Sequence, residues 1–524
     1  MVAARIRRVT TAALFAGACL GATVTVGCGA MSTGGTGASA GPGSSAGAAA
    51  SVAPRRPNIV LFFSDDHARQ AISAYGGVLE DVAPTPNIDR LAAEGALFEN
   101  ALVGNSICAP ARASVLTGLH SHANGVLDNG DSFDGSQQTF PQLLQDAGYQ
   151  TALVGKWHLK SDPTGFDHWE VLHGQGPYYN PKLLTPDGDV AHRGYTSDII
   201  TDLAVQWLDG ERDPSKPFLL CVWHKAPHRH WMPEPDHFDD YDDELIPEPN
   251  TLFDDHVGRT SAALASEMSV AHHLSPHDLK LVKQPWMDDE QRAAWDAAYD
   301  PKNAAFEAQG LTGDALVRWK YQRYLKDYLR CIASVDESVG EVLEALDDAG
   351  LEDDTVVVYT SDQGFYLGDH GWYDKRWMYE ESLSTPLVVR WPGVTPEGLR
   401  VEAMVQNIDL APTFTAMAGA DVPEPMHGAS MVPLLEGGVP VDWRDSIYYR
   451  YYEFPGVHAV ARHHGIRTDT DKLMRFGQLD AWEYYDLVAD PEELLNAYDT
   501  ADPARIAELK ARLAEIQAGY GDAP

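Results

Sequence analysis

Asn58-Ile59-Val60-Leu61-Phe62-Phe63-Ser64 runs directly into Asp65-Asp66. A short, continuous apolar run of this kind is what a central strand of a parallel sheet requires, because such a strand is buried on both faces. Two carboxylates immediately after it stand where open α/β sheets bind ligands, beyond the carboxyl ends of their strands. The arrangement recurs along the chain. A strand is predicted at Gln150–Val154 ahead of Lys156 and His158, another at Phe218–His224 ahead of Lys225 and His228, and a third at Thr355–Thr360 ahead of Asp362-Gln363. Helices are predicted between them at Asn87–Gly95, Thr139–Ala147 and Thr196–Leu208. A long amphipathic helix, broken along its length, is expected over Arg318–Ala349. Strands alternating with helices predict an α/β fold: a large, mostly parallel sheet sandwiched by helices, with four strand ends supplying one polar rim.

Outward from that core the rhythm changes. Residues 250–317 scatter their apolar positions among Asp, His and Pro and are expected to be an insertion near the mouth of the site. Beyond Gly393 come shorter, aromatic-rich strands (Ile447–Tyr452, Trp482–Leu487) and a last helix near Ala504–Ala518. They predict a smaller C-terminal antiparallel-sheet subdomain, residues 394–524, after a catalytic domain spanning 55–393. At the other end, Arg5, Arg7 and Arg8 precede an apolar stretch from Ala12 to Val26, the pattern of an export signal. Thr25-Val26-Gly27-Cys28 is similar to a bacterial lipobox, so residues 1–28 are expected to leave Cys28 as a lipidated first residue, or to be cut as an ordinary signal. Residues 29–54 are a tether rich in Gly, Ala and Ser. The expected location is an anchored lipoprotein at the periplasm or cell surface, or a secreted protein, touching membrane only through that lipid.

Composition bounds the partners. Of 524 residues 44% are apolar, enough for a large core, which excludes a disordered or collagen-like chain. Against 39 Lys and Arg stand 77 Asp and Glu, a net charge of −38, which excludes a nucleic-acid partner. Five cysteines are too few for a disulfide framework in an exported chain. Cys19 leaves with the signal, Cys28 is the lipid candidate, Cys221 lies in a core strand and Cys331 on a helix. Cys108 therefore needs its own explanation.

Cys108-Ala109-Pro110-Ala111-Arg112, followed by Leu116-Thr117-Gly118, reads C-x-P-x-R-x-x-x-L-T-G. A Cys opening a helix stands where free N–H groups and the helix dipole favour an anion. Arg112, one turn on, reaches the same side. This pattern resembles the type I sulfatases of the alkaline phosphatase superfamily. The resemblance extends over Asn58–Val60 with Asp65-Asp66, Gly155-Lys156-Trp157-His158-Leu159, Lys225-Ala226-Pro227-His228 and Ser361-Asp362-Gln363-Gly364 with Lys375, in the expected order. It implies that a formylglycine-generating enzyme oxidises Cys108 to formylglycine (3-oxoalanine), whose hydrate is the nucleophile, and that Arg112 is the motif arginine. By the same resemblance His228 protonates the leaving oxygen, His158 assists release of enzyme-bound sulfate and Asp362 is the base.

The residues also fit this chemistry on their own terms. Asp65, Asp66, Asp362 and the amide oxygen of Gln363 are an all-oxygen set that suits a hard cation, Ca²⁺ ahead of Mg²⁺, with Cys108 beside it as a further contact. Lys156, Lys375 and Arg112 suit the remaining sulfate oxygens, with Lys225 as a further contact. The expected reaction is hydrolysis of a sulfate ester on a sugar or glycan. The wording from Ser361 to Gly393 is most similar to bacterial carbohydrate sulfatases, N-acetylglucosamine-6-sulfatase-like and heparan-type members included. The alternatives are an arylsulfatase or choline-sulfatase-like activity, a phosphate or phosphonate ester hydrolase, and a non-catalytic glycan-binding protein. Candidate sugar contacts are His370, Arg376, His458 and Arg462. The aromatic run Tyr448–His464 reads equally as a cover over the pocket or as the core of the C-terminal sheet.

Overall fold

The structure is a computed structural model describing residues 56–522. The export signal, Cys28 and the linker lie outside the described residues. Strand β1 is Asn58–Ser64, as its sequence predicts, and its alternate residues go to opposite faces. Val60 and Phe62 enter one core cluster, and Ile59, Leu61 and Phe63 enter the other. The same division holds in β2 (Gln150–Gly155), β3 (Phe218–Trp223) and β4 (Thr355–Ser361). Strands apolar on both sides can exist only between two layers of helices, which is why these four sit at the centre.

They belong to a ten-stranded sheet in which β4, β1, β3 and β2 are consecutive and parallel. His168–Leu172 continues the parallel set beside β2, and Leu387–Arg390 runs antiparallel beside β4. Because β1 lies between β3 and β4 in register (Phe63 opposite Trp223, Ser64 opposite Ser361), the residues just past all three strands arrive at one edge. The fold is the predicted large, mostly parallel sheet with a smaller antiparallel one.

Several elements depart from expectation. The long helix is continuous over 36 residues, Gly313–Asp348, rather than broken. Its internal glycine, Gly340, marks a close approach: a Cβ there would meet the Asn87 side chain at 2.7 Å. One turn earlier, Asp336 accepts hydrogen bonds from the backbone N–H of Asn87 (3.1 Å) and Ile88 (2.9 Å), capping helix Pro86–Ala93 from outside. The insertion region holds a 21-residue helix, Asp289–Gln309, started by an Asp288/Gln291 capping box and stacked along Trp295 and Tyr299 (4.4 Å). Only Trp295 and Tyr299 of its residues are buried, and its other apolar positions are mostly exposed alanines, which hides the period in the sequence.

The boundary at Gly393 is also displaced. Leu399–Val401 is the edge strand of the large sheet, and Leu410–Met417 packs in one of its two cores. The antiparallel sheet begins at Ser446–Tyr451 and continues through His463–Thr468, Asp471–Phe476 and Ala481–Asp486. Helix Pro503–Gly519 covers one face, against Tyr448, Ile466 and Leu473. Ile447, Tyr449 and Tyr451 fill the other face with Trp377 and Tyr379, so the aromatic run is core.

Asp409 joins these parts. It is fully buried, takes both guanidinium nitrogens of Arg444, and accepts from Gln406 N–H (2.7 Å) and Ala429 N–H (2.8 Å). Removing Asp409 leaves the mostly buried Arg444 and two backbone N–H groups without their partner. Asp409→Ala is expected to lose about 3–5 kcal/mol of stability, read from the urea midpoint at unchanged slope. A loss under ~1 kcal/mol would mean that the pair contributes little.

Candidate active site

Asp65 and Asp66 follow β1, Asp362 and Gln363 follow β4, and all four are fully buried. The β1–β4 register brings the two pairs together. Asp66 N–H donates to Asp362 Oδ1 at 3.1 Å, and the Gln363 amide nitrogen donates to Asp66 Oδ1 (2.6 Å) and Asp362 Oδ1 (2.7 Å). Asp66 takes φ +68°, a left-handed turn that aims its carboxylate back at the cluster. Tyr328, from the long helix, clamps the turn. Its hydroxyl donates to Asp66 C=O (2.7 Å) and accepts from Ala68 N–H (2.8 Å). Burial pushes Asp66 up to about 6, against the lowering effect of Lys375.

Helix α1, Cys108–Thr117, is fully buried and starts against this cluster. The Cys108 thiol donates to Asp65 Oδ1 at 3.4 Å, and burial pushes it up to about 12. Ala109 N–H in the first turn is taken by the Asn129 side chain (3.0 Å). Arg112, one turn along, donates to Lys156 C=O (2.7 Å) and to Asp362 Oδ2 (3.1 Å), and lies 3.4 Å from Asp65 Oδ2. Its guanidinium stacks on Phe63 (5.0 Å) and Trp223 (5.5 Å), which fixes the fork in a dry wall.

The basic residues come from the other strand ends. Lys156, after β2, pairs with Asp65 and touches Gln175. Lys375 Nζ lies 2.6 Å from Asp66 Oδ1, and the charge of Asp66 raises its pKa although burial opposes this. Lys225, after β3, sits over the Tyr178 ring at 4.8 Å, and burial pushes it down to about 8. Each of the three carboxylates thus has a cation: Lys156 on Asp65, Lys375 on Asp66 and Arg112 on Asp362. Lys225 is a fourth, held on an aromatic face.

His228 Nδ1 donates to Arg229 C=O (2.7 Å), which makes Nε2 the free, proton-accepting atom of the neutral ring, 3.8 Å from Asp66 Oδ2. Asp65, Cys108 and His228 have ligand atoms within 4.8 Å of one another. His158 is held at φ +56° with Nδ1 buried and without a hydrogen-bond partner. Burial, and after it the charge of Lys156, holds both histidines well below the usual imidazole range.

The donor set fits a hard cation. Ligand oxygens of Asp65, Asp66 and Asp362 lie within 4.8 Å of one another. Gln363 Oε1 is buried without a hydrogen-bond partner, and Asp65 Oδ2, equally buried, meets the Lys156 and Arg112 cations. Turning the Gln363 amide by half a rotation puts its oxygen where its nitrogen now meets two carboxylates, the exchange a cation there would favour.

The four expected sugar contacts separate. Arg376 and His458 converge on Asp374, next to Lys375, at 2.9 and 3.2 Å. His370 does not join them. It is buried between Asp254 and Glu381 (3.2 and 3.5 Å), and those carboxylates, above all Glu381, raise it to about 9 against burial. Arg462 is exposed and donates to Tyr452 C=O. Sequence reasoning missed Asn129, Gln175, Tyr178 and Tyr328, which carry no motif and reach the site only through long-range packing.

A family model described as Sulfatase matches residues 57–420, and one described as N-sulphoglucosamine sulphohydrolase, C-terminal, matches residues 368–519. The chain is 46% identical over 491 residues to the N-acetylglucosamine-6-O-sulfatase of Bacteroides thetaiotaomicron, covering 89% of this chain and 87% of that one. It is 26% identical over 526 residues to the human N-acetylglucosamine-6-sulfatase, covering 89% and 85%. Among solved structures, one of a protein in complex with its substrate D-glucosamine-2-N,6-O-disulfate superimposes with a TM-score of 0.87. It shares 46% identity and covers 89% of this chain and 98% of that one.

Proposed function

The chain belongs to the sulfatase family, and we propose that, as a sulfuric ester hydrolase, it removes the 6-O-sulfate of a glucosamine residue, with Cys108 converted to formylglycine and one Ca²⁺ at the carboxylate cluster. The observation that carries the sugar and the position is the 46% identity, over nearly the whole chain, to an N-acetylglucosamine-6-O-sulfatase. The chemistry is supported by Cys108 at the buried start of α1, beside three carboxylates and four cations.

Asp65, Asp66, Asp362 and Gln363 would hold the ion, with the modified side chain of residue 108 beside it. When bound, a divalent cation there supplies positive charge against a sulfate oxygen and lowers the pKa of a neighbouring hydroxyl. The chain's own residues do the rest. The start of α1 and Arg112 present N–H groups and a fixed guanidinium to the anion. Lys156 and Lys375, already poised on the carboxylates, turn charge toward the sulfate oxygens where negative charge builds. Lys225 adds a cation on the side of His228. His228, its Nδ1–H committed to a carbonyl, presents Nε2; the negative charge of the bound sulfate ester favours a second proton there, which the leaving sugar oxygen would take. His158, two residues after Lys156, would serve release of the bound sulfate. Asp362 accepts the proton of the attacking hydroxyl.

The test is sulfate release from N-acetylglucosamine 6-sulfate, its 3-sulfate isomer and galactose 6-sulfate, with matched aryl sulfate and aryl phosphate alongside. The 6-sulfated glucosamine is expected to show the highest kcat/KM, by about 100-fold or more over the 3-sulfate. A preference for the galactose ester would overturn the sugar, and a higher efficiency on phosphate would overturn the ester class.

A further inference from the structure

A cavity of about 370 Å³ opens beside the site, within the range of roughly 300–1,000 Å³ usual for small-ligand pockets. Lys225 and His228 line it, so on the reading above it is the space open to the alcohol attached to the sulfate's bridging oxygen. Tyr178, Met232 and Trp286 make the rest of the wall mostly apolar. Trp286 is unusual in this chain. Trp223, Trp231, Trp295, Trp372 and Trp377 are fully buried, whereas Trp286 is 44% exposed and lines the cavity. It comes from the insertion whose role its sequence leaves open.

That insertion is bolted to the catalytic loop. Asp278 is fully buried and receives the Arg229 guanidinium in a fork (both contacts 2.7 Å), His230 Nδ1 (2.6 Å) and Ser275 N–H (2.7 Å). Lys280 Nζ donates to His230 C=O (2.8 Å). His277, next to Asp278, stacks on Trp286 at 6.0 Å and 23°. Just past the tryptophan, Asp288 caps a 21-residue helix and is tied to Arg193. The indole is therefore carried on a segment tied upstream to the Lys225–His228 loop through Asp278 and downstream to Arg193 through Asp288. Arg229 on this wall is already neutralised by Asp278, so beyond Lys225 and His228 the wall is mostly carbon.

We propose that Trp286 is the platform on which the pyranose ring of the leaving alcohol stacks its C–H face, with His277 supporting the indole from the insertion. This rests on the sugar-sulfate reading above and adds the residue that selects a ring. Such a contact is made equally before and at the transition state, so it acts on KM and not on kcat.

The test is steady-state kinetics on N-acetylglucosamine 6-sulfate with the full-length, mature enzyme and its Trp286→Ala and Trp286→Tyr variants, each checked for wild-type Tm. Trp286→Ala is expected to raise KM about tenfold with kcat within about twofold, and Trp286→Tyr to restore most of the wild-type KM. Unchanged KM in Trp286→Ala, with wild-type turnover of the sugar sulfate intact, would overturn the platform and leave the sugar-sulfate reading standing. A fall in kcat and kcat/KM together would overturn it too, assigning the residue to shape. A wild-type enzyme that cleaves aryl sulfate but no sugar sulfate would remove the parent reading, and the platform with it.

Discussion

Cys108→Ala is expected to lower kcat/KM by about 10⁴–10⁶-fold, the scale on which removal of a covalent nucleophile acts, while the protein folds as before. The asymmetry follows from what the thiol touches. Its one polar contact is a 3.4 Å approach to Asp65 Oδ1, and it otherwise fills a fully buried helix start. Deleting one sulfur from such a position costs on the order of 1 kcal/mol, which leaves a domain of this size folded. Chemistry has no comparable reserve. Arg112 and the lysines can bind a sulfate ester, but none stands as a second nucleophile at the start of α1. Steady-state sulfate release, thermal unfolding and peptide mass spectrometry of the active wild type check the three parts separately. In the active enzyme residue 108 is expected to have lost sulfur and gained a carbonyl oxygen. An alanine variant with wild-type rates, or a fully active preparation with an intact thiol, would overturn the assigned nucleophile.

Why the site could be read so far from sequence is visible in how it is built. Asp65-Asp66, Lys156, Lys225 and Asp362-Gln363 each stand at or just past the end of a strand with an apolar centre, so a local pattern marks both the strand and the candidate residue. The parallel sheet then does the assembly, since β1, β3 and β4 in register must deliver their ends to one edge. Cys108 and Arg112 are one helical turn apart and need no long-range information to be placed on one side. What escaped was held by distance. Tyr328 reaches Asp66 across 262 positions, and Asn129 meets the start of α1 from a loop without any motif. The long helix was expected to break and does not, and Gly340 within it lets it approach Asn87 closely. His370 lies five residues from Lys375 and has the right chemistry for a sugar contact. The fold encloses it between Asp254 and Glu381, and nothing in the neighbouring residues announces those partners.

Asp362→Asn should separate the cation from the rest of the machinery. The substitution keeps size and one acceptor oxygen but removes a charge from a group that accepts Asp66 N–H, Arg112 and the Gln363 amide. Without an ion, the three carboxylates are balanced by Lys156, Lys375 and Arg112, so a chelated protein is expected to remain folded. Calcium should then raise Tm in the wild type by a few degrees, because a ligand at 100 times its Kd adds about 2.7 kcal/mol. In Asp362→Asn that increment should vanish, Ca²⁺ affinity by calorimetry should fall by about 100-fold or more, and sulfate release should drop by at least about 10³-fold. Magnesium should restore the wild type poorly, since it prefers near-ideal octahedral geometry and parts reluctantly with its water. A variant that keeps the calcium-dependent rise in Tm would place the ion elsewhere. A chelated wild type that keeps full activity would mean that Arg112, Lys156 and Lys375 neutralise the sulfate unaided.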